Sequence, residues 1–434
     1  MDEQTLVAII GCIAVLVLML IRVPIAVSLG SVAVAGFAYL VGLQPALGIL
    51  IDSPIRTVTN YSFSVVPMFI LMGALVSASG MSRELFRAAN AWAGHLPGGM
   101  AIATIFACGG FAAINGSSIA SAATMTQVAL PEMRRAGYDP GLSAGVVAAG
   151  GTLGIMIPPS VMFILYAILT ETDVASLFIA GILPGLIAIA LYCITILILY
   201  RVKKEWLPRG QRSDRHERLG SLRDVWATLL LFVLVMGGIY GGLVTITEAA
   251  GLGAFGALVI GVARGRLSWS AIVDCLVEAL RTSATIFFIL IAAFLFQYFL
   301  AVSQMSQLLG DFLISLPVGP LGVVIVILTF YIIIGMFVDE LAIILLTIPI
   351  VFPIVVGLGF DPVWFGVLVV VTVQIGLIAP PVGIICFIMN NMVPDIGLVN
   401  IYKGAMPFVI ADLFWLALLL AFPSISLFLV KLIG

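Results

Sequence analysis

The sequence predicts an all-α polytopic membrane protein built as an inverted repeat, each half carrying one re-entrant hairpin and one broken helix. Three observations carry this. The chain is 62% hydrophobic and 9% charged, whereas soluble domains hold roughly 25% charged residues. Apolar stretches of spanning length recur from end to end. Two of them are interrupted alike, by Gly154-Ile-Met-Ile-Pro158-Pro159-Ser160 and by Gly376-Leu-Ile-Ala-Pro380-Pro381-Val-Gly383, with Pro158 and Pro380 222 residues apart. Two adjacent prolines remove two amide donors and cannot continue a helix. Inside a bilayer such a break persists only where protein buries it or a wet cavity meets it.

A membrane helix needs about 20 mostly apolar residues. On that measure the first half, 1–200, holds scaffold helices at 5–22, 24–43 and 58–79, an arm at 81–97, a hairpin at 100–133, a broken helix at 141–170 and a last helix at 175–200. The segment 201–223 reads as a cytoplasmic basic loop. The second half, 224–434, repeats the order: helices at 224–244, 248–263 and 282–302 form its scaffold (224–302), then come an arm at 303–316, a hairpin at 318–357, a broken helix at 362–392 and a helix at 405–430. The stretches 100–133 and 318–357 are too short to cross twice with a loop between, so each is read as entering and leaving on one side. The opening Met1-Asp2-Glu3-Gln4 lacks a basic start, so 5–22 is taken as a membrane helix and not a removed leader. Five cysteines (12, 108, 193, 275, 386) lie in or beside apolar runs without metal-ligand spacing and are read as packing residues.

Charge tests the topology. Arg201, Lys203, Lys204, Arg209, Arg212, Arg215, Arg218 and Arg223 mark one cytoplasmic segment. Tracing outward places Arg22, Arg83, Arg87, Arg134, Arg135, Arg264, Arg266 and Lys403 on that side as well, with both termini on the outer face. Counting either hairpin as a full crossing would break this agreement. Five crossings per half then insert the second half upside down. Matching residues support the repeat: Ser79-Gly80-Met81-Ser82 with Ser303-Gln304-Met305-Ser306, Pro131 with Pro353, the two Pro-Pro pairs, and Asn115 with Asp339.

The polar residues at the breaks point to chemistry. Asn115-Gly116-Ser117-Ser118 offers an amide oxygen, hydroxyls and carbonyls, hard ligands for Na⁺ or donors to an anion. The alternative is a small-residue helix-packing patch. Gly150-Gly151-Thr152-Leu-Gly154 before the first Pro-Pro pair, and Thr372-Val-Gln374-Ile-Gly376 before the second, free carbonyls for cations, while half-helix N-termini favour anions. A merely kinked packing helix is the alternative there. Asp339 is an acid at membrane depth, costing about 2.5–3.5 kcal/mol on insertion scales unless compensated. A bound Na⁺, a proton or the amides of the hairpin turn would each serve. Glu340 is read beside it. Glu248, after Thr245, is read as a helix cap, and Asn390, Asn391 and Asp412 as structural. Met81 to Trp92 suits a helix lying in the interface. Paired broken helices in two halves are the pattern of a secondary transporter's binding site.

In its two hairpins and two breaks the chain resembles the large, DctM-like membrane subunit of tripartite ATP-independent periplasmic (TRAP) transporters. The motifs are Asn115-Gly-Ser-Ser118 with Pro131-Glu-Met133, Gly151-Thr-Leu-Gly154 with Ile157-Pro-Pro-Ser160, Phe337-Val-Asp339 with Pro349 and Pro353, Gly376 through Gly383, and Thr247-Glu248-Ala249-Ala250. The resemblance implies an elevator-type, Na⁺-coupled importer in the bacterial inner membrane. It also implies a small four-helix membrane subunit, a periplasmic binding protein, and an organic acid such as a C4-dicarboxylate or sialic acid as cargo. Because the chain begins at the first scaffold helix, the small subunit is expected as a separate chain. The implied cation ligands are Ser117, Ser118 and backbone at Gly151, Gly154 and Pro158 for one ion, and Asp339, Thr372, Gly376 and Pro380 for another. Cargo would meet Asn115, Ser117, Thr152, Pro159, Ser160, Glu340 and Pro381 between the tips, with Na⁺ binding first.

No cofactor is expected beyond Na⁺ as coupling ion, and membrane lipid but not nucleic acid surrounds the chain. An intramembrane hydrolase is excluded on residue grounds: His95 and His216 fall in cytoplasmic segments, no lysine lies in the membrane core, and Asp339 lacks a facing aspartate. Nothing resembles a repeated channel filter. The remaining alternative is a stand-alone divalent-anion or proton-coupled exchanger of similar architecture.

Overall fold

The computed structural model describes residues 3–208, 210 and 214–433, and every regular element among them is helical. Arg209 and Arg212 of the basic segment, and Met1 and Asp2 of the start, lie outside the described residues. Six helices are long and apolar enough to cross a membrane alone, or seven if His216–Asp224 and Trp226–Tyr240, bent by 43°, count as one. The other apolar helices are shorter, chiefly because the hairpins and breaks divide them.

Two groups of helices pack side by side. One is the scaffold: Trp269–Val302 lies along Ile25–Val41 and Val65–Ala78, and Ile246–Ala263 along Val65–Ala78. The second contains hairpin helices Gly99–Asn115 and Ser118–Arg135, hairpin helices Gly319–Gly335 and Glu340–Gly357, both broken helices, and the long helices Val174–Val202 and Leu398–Ala421. Backbones approach closely in this second group. A Cβ on Gly404 would stand 2.0 Å from the Gly141 carbonyl oxygen, and one on Gly145 2.1 Å from the Gly404 carbonyl carbon. Small residues thus let the first broken helix cross Leu398–Ala421 at backbone contact, since association in lipid rests on packing.

Local chemistry fixes the repeat. Each broken helix opens with Asp-Pro: the Asp139 carboxylate accepts from the Leu142 amide at 2.8 Å, and Asp361 from the Val363 and Trp364 amides at 2.8 and 3.0 Å. Proline at the first helical position lacks only a hydrogen no partner needs. Both arms, Met81–Ala93 and Met305–Ser315, start after a left-handed residue, Gly80 (φ 76°) and Gln304 (φ 54°). Glu84 holds the first arm to the scaffold: Arg264 reaches both its oxygens, at 2.9 and 2.7 Å, and Arg266 adds a contact at 2.7 Å. Thr245 and Glu248 form a reciprocal cap at the start of Ile246–Ala263.

Four stretches differ from the sequence reading. Leu43–Thr59, most of it between the expected helices 24–43 and 58–79, is a helix; Ala46, Ser53 and Thr57 are its buried stripe, and Asp52, Pro54 and Arg56 mask it in a hydropathy reading. Helix 282–302 is the end of a 34-residue helix, Trp269–Val302, about 51 Å long at 1.5 Å per residue; Asp274, Glu278 and Arg281 hid its first half. The basic segment is not all loop. Arg215–Asp224 is a helix packed on the first arm, where the Trp92 indole donates to the Arg218 carbonyl at 3.3 Å. Finally, 405–430 is two helices, Leu398–Ala421 and Ser424–Ile433, parted at Pro423.

Candidate functional site

Each hairpin turns within a few residues. In the first, Gly116 (φ 66°) ends Gly99–Asn115, Ser117 caps the next helix and Ser118 is its first residue. In the second, Asp339 caps Glu340–Gly357, accepting from the Leu341 amide at 3.1 Å. The functional alignment of the halves therefore pairs Ser117 with Asp339 and Ser118 with Glu340, in register with the Pro-Pro pairs. Asn115, paired with Asp339 from sequence, lies two residues upstream at the end of the preceding helix, because the structure aligns cap with cap.

Each tip docks on the break of its own half. Pro140–Thr152 gives way to a short 3-10 turn at Leu153–Ile155, then Val161–Thr170 begins; Pro362–Ile378 gives way to Ile384–Met392. Both Pro-Pro bonds are cis. The Val161 amide donates to the Gly116 carbonyl at 3.4 Å, and the Gly383 amide to the Met336 carbonyl at 3.1 Å. Glycine permits the contact on both sides: a Cβ on Gly154 would stand 2.4 Å from the Ser117 carbonyl oxygen, and one on Gly376 2.6 Å from the Gly335 carbonyl carbon.

The two tips then meet each other. The Ser118 hydroxyl donates to the Glu340 carboxylate, a contact between equivalent residues of the two halves. Beside them, a cavity of about 690 Å³ separates the tips from the scaffold. Asn115, Ser117, Thr124, Asp339 and Glu340 line one side; Gly73, Ser77, Asp274, Glu278 and Thr282 line the other. Ser77 and Thr124 hydroxyls bridge the gap at 3.3 Å, and Asn115 packs on Gly73. Among the described residues, no lysine, arginine or histidine lines this cavity. A larger one, about 790 Å³, lies between the first arm, the hairpin base and Arg215–Asp224; its mixed lining of Arg83, Arg87, Arg135, Glu132, Glu217 and Asp224 touches neither tip.

Of the sequence-predicted residues, Asn115, Ser117, Asp339 and Glu340 face the cavity, with Ser118 buried directly behind them. Gly151, Gly154, Pro158, Thr372 and Gly376 are buried in the breaks. The Pro159 carbonyl packs against Gly116, where a Cβ would stand 2.8 Å from its oxygen. Three expected cargo contacts are otherwise engaged. Ser160 caps Val161–Thr170 and donates to the Ile155 carbonyl at 2.5 Å. Pro381 and Val382 carbonyls accept from the Tyr402 hydroxyl at 2.8 and 2.5 Å, and Pro380 adjoins them. Thr152 turns away from the cavity. The physical reason is shared: a broken helix must satisfy its own freed groups first.

The chain matches the family described as tripartite ATP-independent periplasmic transporter, DctM component, over residues 12–425. It belongs to that family. Among curated DctM-type relatives, it is 38% identical to the C4-dicarboxylate TRAP transporter large permease protein DctM of Pseudomonas aeruginosa, covering 91% of this chain and 94% of that one. It is 30% identical to the sialic acid TRAP transporter large permease protein SiaM of Vibrio cholerae, covering 86% and 87%. Among solved structures it is similar to the Alcanivorax borkumensis YdaH transporter, with a TM-score of 0.68 over 98% of each chain. At 14% identity, that likeness bears on the fold alone. As a DctM-family chain it is a multi-pass permease, one component of a tripartite transporter, and its relatives are not enzymes.

The sequence reading missed a second centre in this permease. Thr152 and Gln374, equivalent residues of the two breaks, converge on the Tyr192 hydroxyl at 3.4 and 3.0 Å, and Tyr192 donates to Asp412 Oδ1 at 2.8 Å. All four are essentially inaccessible. Gln374 Oε1 and Asp412 Oδ2 find no partner among the described residues. In the sequence Tyr192 is one aromatic in an apolar helix and Asp412 an isolated acid; only the fold brings them together. Asp412→Asn, which still accepts from Tyr192, is expected to melt close to the parent. Asp412→Ala, which orphans that hydroxyl, is expected to lose about 1–3 kcal/mol. Equal melting of the two variants would remove the hydrogen bond from the account.

Proposed function

We propose that this chain is the large permease of a Na⁺-driven, three-component importer of an organic acid in a bacterial inner membrane, its two termini on the outer face. The observation that supports it best is the meeting of two hairpin tips, each docked on its own broken helix, beside a cavity shared with the scaffold. One Na⁺ is assigned to Ser117, Ser118 and the carbonyls of Gly151 to Pro158, and another to Asp339, Thr372, Gly376 and Pro380. Cargo, a carboxylate of the C4-dicarboxylate or sialic acid class, binds between the tips, with Asn115, Ser117 and Glu340 as its nearest side chains. The hairpins and broken helices travel as one unit against the scaffold. Each net charge moved is worth about 2.3 kcal/mol per 100 mV, so two Na⁺ in excess of cargo charge would drive steep accumulation. A separate four-helix subunit and a periplasmic binding protein complete the machine.

The test is uptake of radiolabelled succinate and N-acetylneuraminate into proteoliposomes holding this chain and its small subunit, with and without binding protein and Na⁺. Uptake that needs both is the expected result. Uptake indifferent to Na⁺ would refute the coupling. Uptake without any binding protein would favour the stand-alone exchanger.

A further inference from the structure

The contact between Ser118 and Glu340 occupies a special place. Ser118 is the first residue of the 18-residue helix Ser118–Arg135, and Glu340 the first of the 18-residue helix Glu340–Gly357. They occupy equivalent places in the two halves, so their contact brings two helix N-termini together. Helix N-termini carry partial positive charge, which suits an anion; Ser117 and Asp339 cap these two, accepting from the Ala120 and Leu341 amides at 3.4 and 3.1 Å. A carboxyl group already sits between them. The Glu340 side chain is 5% exposed, forms no ion pair among the described residues, and takes the Ser118 hydroxyl as its sole side-chain donor. Beside it the cavity opens, with no basic side chain among the described residues of its lining to receive a carboxylate elsewhere.

We propose that the Glu340 carboxyl group is a built-in stand-in for the cargo's carboxylate, which must displace it from the Ser118 hydroxyl to bind. This rests on the function proposed above and gives it a coupling step. Cargo arrival frees Glu340 next to Asp339, and two adjacent carboxylates need a cation. No bond is made or broken beyond an exchange of hydrogen-bond acceptors on the Ser118 hydroxyl. Glu340 is on this account a competitor of cargo and not its ligand.

Chemical rescue tests the idea without knowing the cargo. In purified full-length protein, Glu340→Ala vacates the anion place. Sodium acetate, at constant Na⁺ and ionic strength against sodium chloride, is expected to raise its melting temperature saturably by several degrees. The parent and the double variant Glu340→Ala/Ser118→Ala should show no acetate-specific shift. Absence of a shift in Glu340→Ala, or an equal one in the parent, would overturn the proposal. Should Glu340→Ala not fold even with acetate, Glu340→Gln decides by uptake of succinate and N-acetylneuraminate. Weakening the competitor should lower the apparent KM of the transported acid at least threefold, and a raised KM overturns the inference. A parent that transports neither acid would count against the proposed function, while the acetate shift would still speak for or against the stand-in.

Discussion

Asp339→Ala is expected to abolish Na⁺-dependent uptake, and Asp339→Asn to do nearly the same while leaving the fold intact. Asp339 has two duties that the pair of variants separates. As cap of Glu340–Gly357 it accepts the Leu341 amide at 3.1 Å, a role that asparagine fills equally and whose loss to alanine costs about 0.5–2 kcal/mol. As the acid of the second tip, facing the cavity, it supplies the charge that a coupling ion would neutralise. Melting of Asp339→Asn near the parent, together with lost Na⁺ dependence of uptake, assigns the second duty. Should Asp339→Asn retain full Na⁺-dependent uptake, the acid is a cap alone and the second cation site must be sought elsewhere.

How much of this was legible in the sequence follows from the range of each signal. Pro158-Pro159 and Pro380-Pro381 announce themselves, because proline removes donors wherever the chain goes. The tips were legible for the same reason: polar residues between two apolar arms at membrane depth need a purpose. Asp139-Pro140 and Asp361-Pro362 were as readable, as a cap followed by proline at the first helical position, and would have fixed where both broken helices begin. Amphipathic helices were harder. In Leu43–Thr59 and the first half of Trp269–Val302, charged residues dilute the hydropathy on which a spanning segment is judged. What no local signal carries is which polar groups meet. Tyr192, Gln374 and Asp412 come from three helices, and Ser118 and Glu340 from opposite halves. The 222-residue offset of the Pro-Pro pairs would have paired Ser118 with Glu340, yet only the fold brings the two into contact.

The second large effect is expected at the two glycines where tip and break are in backbone contact. Gly154→Ala sets a Cβ 2.4 Å from the Ser117 carbonyl oxygen, 2.6 Å from its carbon and 2.9 Å from the Ser118 amide nitrogen. Gly376→Ala sets one 2.6 and 2.7 Å from the Gly335 carbonyl carbon and Cα. Every obstructing atom is backbone, so no side chain can swing aside and the tip itself must move. Overpacking of this kind costs about 1–3 kcal/mol. The loss of transport should exceed what that destabilisation explains, because displacing a tip by about 1 Å can cost about a hundredfold in rate. Gly357→Ala is the control, since its Cβ meets nothing within 4 Å at the end of a hairpin helix; it should transport like the parent. The two tips also share the Ser118–Glu340 contact, so moving either one disturbs the same anion place. The double variant Gly154→Ala/Gly376→Ala should therefore be little worse than the poorer single one, as expected for coupled sites. Uptake at parental rates in both single variants would mean that the tips stand clear of the breaks in the working protein, and ions bound between them would then have no preformed seat.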